Sequence, residues 1–323
     1  MRIVDITERG GPEVLTVRQA PEPVAGPGQV VIAVAAAGVN HADLLQRRGH
    51  YPPPPGAPSW PGLEVSGTVV DAAPGVPWRP GDRVVALLAG GGYAELVAAD
   101  SALVLPVPRG VDLVDAAAIP EAACTVFSTL TAAGLRAGEW LLVHGGSGGV
   151  GSLAIQIGAA LGCRVLTTAG GRDRARRCSA LGADVVVDHR AEDFVTRAKE
   201  ATDGRGVDVI LDVIGAAYLS RNLDALATGG RLAVIGMQKG QRAELNLGTL
   251  LTKRATVLGT TLRSRPPAEK AAIVATVHDR VWPMIAGGQV APVVHARIPL
   301  AEATRAHRLL EAGEVFGTLV LVP

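Results

Sequence analysis

Runs of apolar and β-branched residues, separated by turns, dominate the first 118 residues of the chain. Three of these runs, at residues 30–34, 65–70 and 83–88, alternate or cluster β-branched residues as strands do. Glycine and proline turns separate them, as at residues 80–82. Residues 51–56 include four consecutive prolines, which excludes a helix and predicts an extended loop. We expect this part of the chain to be mostly β.

The pattern changes near Asp115, where buried strand-like runs begin to alternate with helical segments. Uniformly apolar strands with helices between them indicate a parallel sheet covered on both faces. The predicted strands lie at residues 140–144, 165–169, 185–189, 207–213, 231–236 and 256–262, with helices at 150–161, 172–181 and 191–201. A helix (268–286), a strand (293–298), a helix (301–311) and a strand (318–322) are predicted to follow.

The charge balance excludes several classes of protein. The chain has 323 residues, enough for two domains. It carries 31 Lys and Arg against 30 Asp and Glu, so its formal net charge is +1. That balance provides no long-range field for nucleic acid or an anionic membrane, and 3% aromatic residues offer little for base stacking. We therefore expect neither a nucleic-acid partner nor a membrane.

The three cysteines, Cys124, Cys163 and Cys178, form no CxxC pair. Their odd number argues against a disulfide scaffold and a four-cysteine zinc site, and it favours a reducing compartment. No apolar signal-like segment precedes Glu8, and the longest nearly apolar stretch, residues 30–39, is too short to span a bilayer. The expected location is the cytoplasm.

A glycine-rich segment between a predicted strand and a predicted helix is the clearest chemical signal. Gly145, Gly148 and Gly151 have the GxxGxxG spacing. Such glycines allow a tight turn, the approach of backbone N–H groups to a phosphate, and close packing of helix on strand. The preceding strand, the following helix and the further strand–helix units make this a predicted dinucleotide-binding loop.

The end of the next strand indicates which dinucleotide is bound. NAD enzymes usually place an acidic residue there to bind the ribose hydroxyls, but residues 168–171 contain none. Arg172 and Arg174 follow instead, and guanidinium groups suit a 2′-phosphate, so we expect NADPH. The alternative is a solvated basic helix start, and Asp173 between the two arginines weakens the assignment.

The same segment also contains GxSxG centred on Ser147, the nucleophile pattern of α/β-hydrolases. The extra Gly151, the absence of a matching acid and the β-rich first domain favour the dinucleotide interpretation over the hydrolase.

The chain resembles the zinc-independent quinone oxidoreductase branch of the medium-chain dehydrogenase/reductases, and within it the p53-inducible type. The resemblance rests on the glycine loop and on residues 10–13, 39–47, 51–54, 62–67, 81–84, 117–121, 211–215 and 262–265. It implies an α/β protein with a GroES-like β domain (1–118 and 263–323) and a Rossmann domain (119–262). It also implies a cofactor cleft between them and a homodimer formed by the last Rossmann strand, 256–262.

Zinc-dependent relatives carry a cysteine where Val39 and Asn40 stand, a histidine at Leu63 and a four-cysteine lobe after residue 84. None of those ligands is present, so we expect no metal. Without a Lewis acid to polarise an alcohol, the expected hydride acceptor is electron-poor, such as a quinone or an activated alkene.

The resemblance also implies roles for individual residues. Asn40 and Thr125 line the nicotinamide, residues 147–150 hold the pyrophosphate, Arg174 binds the 2′-phosphate, and Tyr51 stands at the substrate mouth. Gly171 and His189 replace the Ser or Thr and the Tyr that are common in relatives. The implied catalytic residues are Tyr51 and Asn40, and the implied cofactor-binding residues are Asn40, Thr125, Ser147, Gly148, Gly149, Val150, Gly171, Arg172, Arg174, His189, Val213 and Gly236.

Structural alternatives remain open for these residues. Tyr51 could orient an acceptor oxygen, donate a proton, or only pack on the proline loop. Asn40 could be a turn residue that bonds its own backbone. A further set is expected to be structural: Arg263 and Arg265 as solvated surface, Cys124 as a buried small hydrophobe, Glu64 and Asp82 as fold residues.

The sequence thus predicts an NADPH-dependent quinone oxidoreductase that transfers hydride to a quinone or a conjugated alkene or carbonyl. An NADPH-dependent enoyl reductase is the alternative among enzymes. A non-catalytic NADPH-binding sensor or structural protein is the alternative of another class.

Overall fold

The computed structural model describes all 323 residues. Its strands are β1 (Arg2–Ile6), β2 (Leu15–Gln19), β3 (Gln29–Val39), β4 (Glu64–Ala72), β5 (Arg83–Leu87), β6 (Leu96–Asp100), β7 (Val104–Pro106), β8 (Trp140–Val143), β9 (Arg164–Ala169), β10 (Val185–Asp188), β11 (Val207–Asp212), β12 (Leu226–Val234), β13 (Thr256–Gly259), β14 (Val294–Pro299) and β15 (Thr318–Val322).

The helices are α1 (His41–Arg47), α2 (Pro120–Ala132), α3 (Gly149–Ala160), α4 (Arg172–Ala180), α5 (Phe194–Ala201), α6 (Leu219–Ala225), α7 (Leu247–Lys253), α8 (Pro267–Arg280), α9 (Trp282–Ala286) and α10 (Ala303–Glu311). Short 3₁₀ turns lie at Pro12–Val14, Ser101–Leu103, Asp115–Ala118, Ala216–Tyr218 and Leu300–Glu302. No helix is long and apolar enough to cross a membrane.

The chain forms two compact units. The first comprises Met1–Cys124 and Leu262–Pro323, and the second comprises Thr125–Thr261. The boundary falls inside α2, whereas the sequence places it before that helix, at residues 118 and 119. A continuous helix carries no turn or linker signal at such a boundary, which is why the sequence does not reveal it.

The second unit is built on a six-stranded parallel sheet with the order β10-β9-β8-β11-β12-β13. Each strand pair is parallel, with registers such as Leu142 opposite Leu166 and Ile210 opposite Leu142. Strands buried on both faces read as continuous apolar runs, and β8 is buried at every position. Its core includes Leu142, Leu166 and Ile210, against which Phe194 of α5 and Leu223 of α6 pack.

The first unit contains a mainly antiparallel sheet with the order β14-β15-β3-β4-β5-β7, and β6 pairs with β3. Only β14 and β15 run parallel to each other. The long strand β3 contributes Val30 and Ile32 to the core, and the C-terminal β15 adds Leu319 and Leu321. The two ends of the chain thus build one unit, as the family resemblance implies.

The structure confirms the predicted α/β fold, a GroES-like β unit with a parallel Rossmann sheet, but corrects several individual elements. The single helix predicted at 268–286 is two helices, because Pro283 lacks the N–H that would continue α8. The strand predicted at 256–262 ends at Gly259. No helix was predicted at α1, α2, α6 or α7, and three of these, α1, α6 and α7, are short helices without a clear apolar period.

Candidate cofactor and substrate sites

The glycine loop follows β8 and turns the chain sharply into α3. Gly145 has φ +73°, a left-handed conformation that favours glycine. A Cβ on Gly151 would lie 2.1 Å from the carbonyl oxygen of Gly145, so only glycine permits this approach of helix to strand. The Gly146 N–H donates to Thr168 O at the end of β9 (2.9 Å). The loop therefore fits tightly against two neighbouring strands.

The loop leaves the first turn of α3 available for an anion. Gly148 is the extended N-cap residue, and no side chain caps the helix. The first N–H groups of a helix have no intrahelical partner, and their positive partial charge favours a phosphate. Ser147, Gly149 and Val150 lie beside this turn and are half-buried. The cradle and its free donors fit the pyrophosphate of a dinucleotide.

Two further predicted cofactor residues lie at the carboxyl ends of the adjoining strands. A Cβ on Gly145 would lie 3.3 Å from Cγ2 of Val213, and a Cβ on Gly236 would lie 2.9 Å from Val213 O. The buried Asp212 carboxylate accepts from the N–H groups of Ile214 (2.7 Å) and Gly215 (3.1 Å), which fixes the turn after β11. The structure thus brings Val213 and Gly236 to the loop.

The end of β10 holds the turn before α4. The Asp188 carboxylate accepts from the N–H groups of Gly171 (3.0 Å) and Arg190 (3.1 Å), and these bonds lower its pKa. A Cβ on Gly170 would lie 3.0 Å from Nε2 of His189 and 3.1 Å from Nε of Arg190. Gly171 and His189, both predicted cofactor-binding residues, therefore lie close together, and Arg190 lies beside them.

The predicted arginines begin α4 next to this turn. Arg172 is exposed and Arg174 is half-buried. Asp173, which the sequence analysis counted against them, accepts from Arg176 at 2.7 Å. Arg190 was not predicted from the sequence. The signal that could have found it is a basic residue just after β10, the strand that pairs with β9. Arg172, Arg174, His189 and Arg190, which flank the turn before α4, are called the basic cluster, and their groups suit a phosphate monoester.

In the first unit, Asn40 is held by a buried glutamate. Asn40 is the N-cap of α1, and its Nδ2 donates to Oε1 of Glu64 at 2.8 Å. Oε2 of Glu64 accepts from the Glu121 N–H at 2.9 Å. A Cβ on Gly38 would collide with the Glu64 carboxyl, so glycine is needed there. Burial raises the pKa of Glu64 to about 7.

A second buried carboxylate, Asp43, fixes the backbone around Asn40. Asp43 accepts from the N–H groups of Asn40 (2.8 Å) and Gly62 (3.0 Å) and from the Tyr93 hydroxyl (3.2 Å). Burial raises its pKa to about 6. The same hydroxyl lies 3.1 Å from Nε2 of His307, whose pKa burial lowers to about 3. This network makes the position of Asn40 rigid.

Arg263 corrects the sequence analysis, which expected a solvated side chain. It is 4% exposed and donates to Ala89 O (2.7 Å), Tyr51 O (3.1 Å) and Gln46 Oε1 (2.7 Å). Its guanidinium carbon lies 5.2 Å from the centre of the Tyr51 ring. Gln46 in turn donates to Ser59 O at 2.7 Å. Arg263 and Gln46 therefore hold both ends of the proline loop that carries Tyr51.

Thr125 and Cys124 lie on α2, on either side of the boundary between the units. Thr125 O accepts from the Thr129 hydroxyl at 2.6 Å. Cys124 is 1% exposed, and burial raises the pKa of its thiol well above the ordinary value. The thiol is therefore protonated and unreactive at neutral pH, in agreement with its predicted role as a small hydrophobe.

The residues at the family's zinc position do not fit the metal. Asn40 gives its amide to Glu64, and Leu63 is a buried hydrocarbon. No group of three or more His, Cys, Asp or Glu side chains is arranged to hold a metal ion. Zinc prefers thiolate and imidazole ligands, and this donor set offers neither at the matched positions.

Comparison with known proteins agrees with this geometry. The alcohol dehydrogenase GroES-like domain matches residues 26–109, and the zinc-binding dehydrogenase domain matches residues 149–278. Quinone oxidoreductase of Lama guanicoe is 34% identical over 327 residues, 100% of this chain and 97% of that protein. Escherichia coli quinone oxidoreductase complexed with NADPH superposes with a TM-score of 0.91 at 30% identity, with both chains fully covered. A structure described as an NAD-dependent alcohol dehydrogenase superposes with a TM-score of 0.90 at 33% identity, also over the full length of both chains.

The fold and the glycine loop define an oxidoreductase of the medium-chain dehydrogenase/reductase superfamily. The chain belongs to the quinone oxidoreductase family within it. The hydrolase interpretation of GxSxG is therefore wrong. The imidazole closest to Ser147 in sequence, His144, bonds Asn222 and Thr168 instead.

Replacing Arg263 by Lys keeps the charge but removes the planar group that reaches three acceptors at once. We expect Arg263→Lys to lower the free energy of unfolding by about 1–3 kcal/mol, because buried acceptors lose their donors. Arg265→Lys, at the half-buried arginine two residues on, is the matched control and should cost less than about 0.5 kcal/mol. Chemical denaturation measures both, and equal effects would contradict the assignment of Arg263 as a clamp.

Glu64 should make stability depend on pH. Its folded pKa of about 7 exceeds the ordinary 4.5, so stability is present in full below pH 4.5 and lost as the pH rises through 7. Glu64→Gln cannot ionise, so the variant should lose about 3 kcal/mol less than the parent between pH 5 and 8. Denaturation at both pH values tests this, with the exposed Glu8→Gln as control. Parallel pH profiles for the parent and Glu64→Gln would show that the carboxyl is already ionised at pH 5.

Proposed function

We propose that this chain is an NADPH-dependent quinone oxidoreductase that transfers hydride to a quinone or an activated alkene or carbonyl. The observation that carries the proposal is the glycine cradle before α3, in which Gly151 touches Gly145 and the first N–H groups of the helix remain free for a pyrophosphate. The full-length similarity to quinone oxidoreductases, one of them complexed with NADPH, supports the same assignment.

The residues that would hold NADPH fall into three groups. Ser147, Gly148, Gly149 and Val150 would form the cradle of the pyrophosphate, to which the N–H groups of Gly149 and Val150 would donate. The 2′-phosphate would be bound beside Gly171 by the basic cluster, which consists of Arg172, Arg174, His189 and Arg190. The residues proposed for the nicotinamide are Thr125, Val213 and Gly236 in the second unit and Asn40 in the first. Bound NADPH supplies the hydride from C4 of its nicotinamide, and the protein aligns the reactants.

The first unit would orient the acceptor. Because Glu64 holds the Asn40 amide nitrogen, the position of that side chain is fixed before any ligand binds. Arg263 fixes the Tyr51 loop in the same way, so the phenol could orient an acceptor oxygen or donate a proton to it. The donor set at Asn40 and Leu63 supports a reaction that proceeds without zinc, and hence an electron-poor acceptor.

A homodimer formed through β13 is the proposed assembly. This strand is the edge of the parallel sheet, and its burial pattern leaves Val257 38% exposed. Leu247 and Leu251 on the preceding α7 are also exposed. Unpaired strand edges and exposed apolar side chains favour pairing with a second copy.

All three cysteines are free, which supports a reducing compartment, and we propose the cytoplasm.

Turnover separates the proposed function from its alternatives. We expect the purified chain to oxidise NADPH on mixing with a panel of quinones and simple enones, followed by stopped-flow absorbance of the nicotinamide. Turnover of enoyl thioesters in place of quinones would indicate an enoyl reductase. Binding of NADPH without oxidation by any acceptor would contradict the enzyme assignment and favour a sensor or structural protein.

The cofactor preference should depend on Arg174. We expect Arg174→Ala to weaken NADPH binding by about 1.5–3 kcal/mol, because a charge-assisted bond to the 2′-phosphate is lost, and to leave NADH binding nearly unchanged. Fluorescence titration with both cofactors measures this. Arg176→Ala removes an exposed arginine paired with Asp173 on the same helix and serves as the control. Equal weakening of NADPH and NADH by Arg174→Ala would contradict the assignment.

The proposed dimer should break when charge is placed on the strand edge. Val257→Lys would bring two like charges together across a two-fold axis, so we expect the dimer to dissociate. Light scattering after size exclusion gives the mass, with Val24→Lys, at a 79% exposed valine in the first unit, as control. A dimer that survives Val257→Lys, or a monomeric parent, would exclude pairing through β13.

A further inference from the structure

His144, which the sequence analysis left without a role, lies directly before the glycine loop at the end of β8 and is 1% exposed. Its Nε2 lies 2.7 Å from Oδ1 of Asn222 on α6, and its Nδ1 lies 3.2 Å from the Thr168 hydroxyl on β9. The same hydroxyl oxygen lies 3.1 Å from the N–H of Gly145. Four residues from three elements are thus joined in one buried chain of hydrogen bonds.

The direction of each bond follows from its donors. The amide oxygen of Asn222 can only accept, so the Nε2–H of His144 donates to it. Nδ1 of the neutral ring then accepts from the Thr168 hydroxyl, whose oxygen accepts from the Gly145 N–H. With neutral His144 in this tautomer, each of the three hydrogen bonds that link Gly145, Thr168, His144 and Asn222 has one donor and one acceptor. Burial lowers the pKa of His144 to about 4, which keeps the ring neutral at physiological pH.

The surroundings keep the ring in this orientation. Phe194 and Tyr218 meet the imidazole edge-on, with ring centres 4.7 Å and 5.0 Å away. Asn222 is fully buried and its Nδ2 has no partner, so the bond from His144 is the one that its amide makes. A buried polar group that is only half satisfied is costly, and its presence beside the loop requires a reason.

We propose that His144, Thr168 and Asn222 form a positioning chain that fixes Gly145 and, through it, the pyrophosphate-binding turn before α3. These hydrogen-bonded residues act on the loop that binds the pyrophosphate, and the pyrophosphate is common to NADPH and NADH. Its loss should weaken both cofactors by the same factor, unlike the loss of the basic cluster. The proposal rests on the assignment of the loop to a nicotinamide dinucleotide, and not on the identity of the acceptor.

The test compares two neighbouring threonines of β9. Thr168→Val keeps the shape and removes the hydroxyl, and His144→Phe keeps the aromatic packing and removes both ring nitrogens. We expect each to raise the Kd for NADPH and for NADH by about 5–10-fold, with the ratio of the two constants unchanged. Thr168→Ser should restore most of the affinity. Thr167→Val, which removes a buried hydroxyl bonded to Val143 O at 2.8 Å, is the matched control.

Fluorescence titration without an acceptor gives these constants, and circular dichroism identifies the variants that are folded. One folded variant, Thr168→Val or His144→Phe, is enough to test the proposal, even when the other does not fold. Unchanged affinity in a folded Thr168→Val or His144→Phe would overturn the proposal, and so would a loss confined to NADPH. Since no acceptor is present, a parent chain that binds both cofactors but reduces no quinone would contradict only the proposed function.

Discussion

The approach of α3 to the end of β8 is the constraint on which the second unit depends. Gly151 lies so close to the carbonyl of Gly145 that any side chain there would collide with backbone, and the helix then points its free N–H groups across the loop. Parallel strands on both sides bring Val213 and Gly171 to the same edge of the sheet. The steric condition at Gly151 thus fixes the entry into α3, and the strand order brings the other candidate cofactor residues of this unit to the same edge of the sheet.

The first unit depends on buried charged groups that fix the positions of Asn40 and the Tyr51 loop. Carboxylates at Glu64 and Asp43 are costly to bury, as the raised pKa of each shows, yet each accepts one hydrogen bond from Asn40 and at least one more from a distant backbone N–H. Arg263 is buried in the same unit and holds the Tyr51 loop. Groups of this cost are best understood as devices that fix side chains in advance, which lowers the entropy lost when reactants are aligned.

Local periodicity and spacing predict the β-rich first part of the chain, the parallel sheet and the glycine loop, whereas the two-unit fold was implied by the family resemblance. It fails where position depends on contacts between distant residues. Arg263 resembles a surface residue in its own segment, but its acceptors belong to residues that precede it by 174 to 217 positions in the chain. Arg190 was missed for a related reason, since the pairing of β10 with β9 brings it beside Gly170 and Gly171. His144 adjoins the loop in sequence, but its partners Thr168 and Asn222 lie on distant elements.

The central claim is that the loop before α3 binds the pyrophosphate of NADPH. The most direct test is a crystal structure of this chain with NADP⁺ and a slowly reacting acceptor. The account predicts pyrophosphate oxygens within about 3.2 Å of the N–H groups of Gly149 or Val150, and the 2′-phosphate beside Arg174. A pyrophosphate bound away from residues 147–150 would contradict it.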